Sequence, residues 1–95
     1  MTSKTNTMIK TGNTIVFKNE NGSLGFYWLC DIVPNGYVFF DWYGNVRNAT
    51  STDFWKMSFD WFNACVQDGT IEVYESLPLD KYGEIFEQQA IERNQ

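Results

Sequence analysis

Few side chains in this sequence could do chemistry. Asp31 and Asp41 lie on consecutive predicted strands, diagonally across a hairpin. A carboxylate pair is what a glycosidase or a weak cation site uses. A flat strand pair offers no cleft, so the plain reading is two solvated or hydrogen-bonded acids. The chain contains no histidine. That removes the commonest general base and metal ligand, and with it every Ser–His or Cys–His nucleophile pair. Cys30 and Cys65 cannot build an ordinary zinc site without histidine and are expected to be free thiols. Gly22 and Gly25 belong to a turn and a strand start, not to a phosphate-cradling loop. The expectation is a protein that is not an enzyme and uses no metal or cofactor.

Binding is better provided for than catalysis. Residues 26–45, FYWLCDIVPNGYVFFDWYGN, hold eight of the seventeen aromatic side chains. Tyr43, Arg47 and Trp55 are the candidates for stacking a nucleotide-like small ligand. Phosphate groups would need more cations than lie nearby. Residues 1–67 carry five acids and five bases, so the whole net charge of −5 sits in residues 68–95. A nucleic-acid backbone is therefore an unfavourable partner, whereas a protein with a basic surface would be drawn to the C-terminal third.

These residues need elements to position them. Ninety-five residues suit one domain. Residues 1–12 read as a loose polar segment and 13–95 as a single α+β domain. TIVFK at 14–18 reads as a first strand and Leu24–Val33 as a second. A turn at Pro34–Gly36 leads to a third strand, Tyr37–Tyr43, and Gly44-Asn45 to a fourth near Val46–Thr50. Ser58 caps a helix with Phe59, Phe62, Cys65 and Val66 on one face, and Gly69 ends it. Thr70–Glu75 alternates as a fifth strand. Asp80 opens a C-terminal helix reaching about Arg93, with Tyr82, Ile85, Phe86 and Gln89 on one side. The order β-β-β-β-α-β-α suits a small SH3-like barrel or a curled antiparallel sheet with a C-terminal helix added.

The hairpin decides which aromatics share a face. An Asn35-Gly36 loop would place Pro34 opposite Tyr37. A turn at Pro34-Asn35 with Gly36 in the left-handed region places Val33 opposite Tyr37. The second register keeps both aspartates off the wholly apolar face, and burying an unpaired carboxylate costs several kcal/mol. Phe26, Trp28, Cys30, Ile32, Val38, Phe40 and Trp42 then line the interior, with Trp28 opposite Trp42. The other face holds Tyr27, Leu29, Asp31, Val33, Tyr37, Phe39, Asp41 and Tyr43. With Trp55 this second face is the expected partner-binding surface, unless a helix covers it.

The expected function is a non-enzymatic protein-binding module, a small acidic inhibitor or adaptor. Proteins of this kind are common among the accessory proteins of phages and mobile elements, where one small domain blocks a host factor. A small-ligand binder and a structural homo-oligomer, with a homodimer seam on the aromatic face, are the alternatives. No apolar run approaches a membrane span, and the N-terminus lacks the apolar core of a signal peptide. The expected location is the cytoplasm.

Overall fold

The structure is a computed structural model that describes residues 9–93. Strands β1 (Thr14–Lys18), β2 (Leu24–Val33), β3 (Gly36–Asp41) and β4 (Trp55–Ser58) form an antiparallel meander. Helix α1 (Phe59–Gln67) then leads to β5 (Ile71–Tyr74), which pairs with the far side of β1. The sheet order is β4-β3-β2-β1-β5, and α2 (Leu79–Arg93) closes the chain. The α+β class, the five antiparallel strands and the C-terminal helix agree with the sequence reading. The sheet remains open, with β4 and β5 as its two edges.

That sheet is strongly curled. In a flat sheet β1 and β4, three strand spacings apart, would be separated by about 14 Å. Yet the rings of Phe17 on β1 and Trp55 on β4 meet at 5.8 Å. The concave side holds the main core: Ile15, Leu29, Phe39, Met57, Ile71 and Val73, with Phe62 and Cys65 of α1. Ser58 caps α1 as expected, its hydroxyl accepting from the Trp61 N–H at 3.1 Å. The convex side carries a smaller cluster, Val16, Phe26 and Tyr74, beneath Tyr82 and Phe86 of α2.

Two expectations about the strands need correction. Residues 46–50 are not a strand: Val46–Asn48 and Ser51–Asp53 are short 3-10 turns. Asn45 caps the first, its side chain accepting from the Arg47 N–H. Thr50 and Asp53 form a capping box on the second. The fourth strand lies later, at Trp55–Ser58.

The hairpin register also differs. Pro34 and Asn35 alone turn the chain, so Val33 faces Gly36, and Gly36 does not take a positive φ. A β-bulge at Cys30 then shifts the ladder again, bringing Leu29 opposite Phe39 and Trp28 opposite Phe40, not Trp42. The two shifts cancel in parity beyond the bulge. Phe26, Trp28, Phe40 and Trp42 therefore do share a face, but it is the convex one. The deepest core lies on the opposite side. The bulge also re-aims Asp31: strict alternation would place it beside Leu29 in the core, whereas it pairs with Val38 and is exposed. Its Oδ1 accepts from the Ile32 N–H at 2.9 Å.

Of the expected loose segment, residues 1–8 lie outside the described residues. Residues 9–12 are tied down: Ile9 packs on the main core, and the Gly12 N–H donates to the Leu29 carbonyl at 2.8 Å.

Candidate functional site

Curling places large rings at one open end of the concave side. Trp55 on β4 is the hub. Phe17 meets it edge-on, Tyr27 lies at 5.3 Å and Phe39 at 5.4 Å. Trp61 in the first turn of α1 stands perpendicular to it at 6.2 Å and is 50% exposed. Gly25 lets the Tyr27 ring lie back over its own strand, since a Cβ there would come within 2.8 Å of it. Phe17, Tyr27 and Trp55 are half-buried, so the patch presents aromatic edges on rigid elements. Sequence reading did not single out Phe17 and Trp61. Phe17 read as a strand residue, and Trp61 lies off the apolar stripe of α1, which is the signal that could have marked it as outward-facing.

The other residues of the expected surface are dispersed. Leu29 and Phe39 are 0% exposed and form the core, so they are unavailable for contact. Tyr37 is covered by α1, its ring 5.0 Å from Phe59 and 4.6 Å from Phe62. Tyr43 lies under α2, stacked on Phe86 at 4.9 Å, and its hydroxyl donates to the Phe86 carbonyl at 3.1 Å. Asp41 accepts from the Tyr43 N–H and pairs with Arg93 at 3.1 Å. Asp31 is exposed beyond the bulge, paired with Val38 of the convex side. Only Tyr27 and Trp55 of the expected set reach the mouth of the curl.

Nor are Tyr43, Arg47 and Trp55 brought together. Tyr43 packs in the convex cluster, Trp55 against the concave one, and Arg47 is exposed on a 3-10 turn between them. A pocket of about 510 Å³ contains none of the three. Its polar lining is Asp41, Asn45, Asn48, Thr52, Asp53 and Arg93.

Electrostatics mark one further cluster. Glu72 on β5 accepts from the hydroxyls of Tyr74 at 2.8 Å and Tyr82 at 2.6 Å. Lys18 and Lys81 approach it at 3.2 and 3.4 Å. Burial opposes its ionisation, but the hydroxyls and the Lys18 ammonium outweigh burial and hold its carboxyl at about 2. Burial, reinforced by Glu72, pushes the Tyr74 phenol up to about 12. Burial also raises both cysteine thiols, which leaves them poor nucleophiles. Among the described residues no group of three or more acidic or cysteine side chains could hold a metal ion, and no helix is long and apolar enough to cross a membrane.

No family model, curated protein or solved structure matches the sequence.

Proposed function

We propose that the chain is a non-enzymatic protein-binding module, a small acidic inhibitor or adaptor, which docks its partner on the mouth of the curled sheet. The observation that carries this reading is Trp61, half exposed and set edge-on to Trp55. Tryptophan and tyrosine dominate binding hot spots because they bury much area for little lost rotamer freedom. Tyr27 and Phe17 extend the patch. The acidic C-terminal third, which holds the whole net charge of −5, favours a partner with a basic surface.

The test is affinity capture from a lysate with wild type, Trp61→Ser and a control, Ile91→Ser, whose side chain is exposed on α2. A specific partner retained by wild type and control but lost from Trp61→Ser supports the proposal. Equal retention by all three removes this patch as the contact. A self-associating chain would show itself in light scattering as a dimer that Trp61→Ser converts to a monomer.

A small-ligand reading draws support from the 510 Å³ pocket beside Arg93, which falls in the size range of ligand sites. A true ligand at a hundred times its Kd would stabilise the fold by about 2.7 kcal/mol, visible as a rise in Tm.

A further inference from the structure

We infer that the C-terminal part of α2, residues 84–93, is a lid that opens as a unit over the convex aromatic cluster, with its weak point at Gly83. Three observations lead there. First, the main core under α1 contains no residue of α2, and α2 has no buried residue of its own. The lid can leave without removing a residue from the concave core. Second, the lid is fastened along one stripe, where the Phe86 carbonyl also accepts from the Tyr43 hydroxyl at 3.1 Å. Phe86 packs on Phe26 and Tyr43, Gln89 Nε2 donates to the Leu24 carbonyl at 3.0 Å, and Arg93 pairs with Asp41. The lid's own fastening side chains, Phe86, Gln89 and Arg93, are half-buried or exposed. Opening therefore costs much less than unfolding the sheet.

Third, the first turn is held differently from the rest. Pro78 is fully buried and its carbonyl accepts from the Tyr82 N–H at 2.9 Å. Tyr82 and Lys81 engage Glu72. Between this anchored turn and the lid stands Gly83, in the helix interior. Nothing in the closed geometry calls for glycine: its φ is not positive, and an added Cβ would meet only Leu79 Cβ at an ordinary 3.8 Å. Glycine in that place lowers the helix's own stability with no steric return. Opening uncovers Phe26, Tyr43 and Trp42, the last with its indole N–H buried and without a partner among the described residues.

The test is native-state amide hydrogen exchange on the full chain. The amides of 84–93 are expected to share one opening free energy and to exchange at least a hundredfold faster than those of Phe26–Leu29. Gly83→Ala is expected to slow the lid amides about fivefold, the equivalent of ~1 kcal/mol between alanine and glycine in a helix interior. Phe86→Ala is expected to speed them. Lid and β2 amides exchanging at one common rate would overturn the inference. So would a steady gradient of protection falling from Glu84 to Arg93, which is end-fraying and not a lid, or lid exchange unmoved by Gly83→Ala.

Discussion

The ring of Phe17 on β1 stands 5.8 Å from that of Trp55 on β4, although β2 and β3 lie between their strands. This contact ties the fold to the proposed function. It requires the sheet to curl, and the curl turns Leu29 and Phe39 into core while leaving Trp55, Tyr27 and Trp61 at the opening.

The first prediction separates core from contact surface. Phe39→Ala should cost about 3–5 kcal/mol, because a fully buried ring leaves a cavity among Leu29, Met57 and Phe62. Trp61→Ala, half exposed, should cost about 1 kcal/mol or less. Urea unfolding of both variants checks the order. A larger loss for Trp61 would mean that its ring is structural.

Close backbone approach gives a second. A Cβ on Gly36 would lie 2.3 Å from the Met57 carbonyl oxygen, a backbone atom that cannot swing aside. Gly36→Ala is expected to lose about 1–3 kcal/mol by parting β3 from β4. Gly83→Ala, by contrast, should leave stability unchanged or raise it. In thermal melts the Tm should fall for Gly36→Ala and hold or rise for Gly83→Ala.

The Glu72 cluster sets an acid limit. Its carboxyl sits at about 2 in the fold against an ordinary 4.5. The folded value is depressed, so the ionised form's stabilisation is complete above about pH 4.5 and is lost as pH falls through 2. The full difference is about 3 kcal/mol. Stability measured by urea should therefore drop between pH 4.5 and 2. Glu72→Gln should be less stable near neutrality and should lose less across that window. An unchanged acid profile in the variant would show that other carboxylates set it.

How much of this could be read in advance follows from where each signal resides. TIVFK, the ten-residue second strand, the Ser58 cap and α1 were legible because periodicity and capping are local. The inside-out reading of the hairpin was not. Which face is buried depends on the curl and on where α1 returns, and both are long-range. The bulge at Cys30 carries no glycine to announce it. The 46–50 segment read as a strand because Gly44-Asn45 resembles a hairpin turn, yet Asn45 and the Thr50–Asp53 spacing are capping chemistry that favours short turns. In Trp55–Ser58, Trp55 and Met57 point inward while Lys56 and Ser58 are exposed, a four-residue alternation too short to stand out.

The bulge yields a further prediction. Removing Cys30 would join Leu29 to Asp31 with each already on its present face, opposite Phe39 and Val38. The deletion should fold with a regular ladder and the same core. Cross-strand NOEs between Leu29 and Phe39 would confirm it. A chain that unfolds on deletion would show that the bulge is needed to curl the sheet.

The proposed contact surface is tested most directly by the four indole N–H signals in a 15N-edited spectrum, recorded as the captured partner is titrated in. Trp55 and Trp61 lie at the concave mouth, whereas Trp28 and Trp42 lie on the convex face with Phe40 and Phe86. The Trp55 and Trp61 signals are expected to shift or broaden while the other two stay in place. Movement confined to Trp28 and Trp42 would contradict the proposed surface.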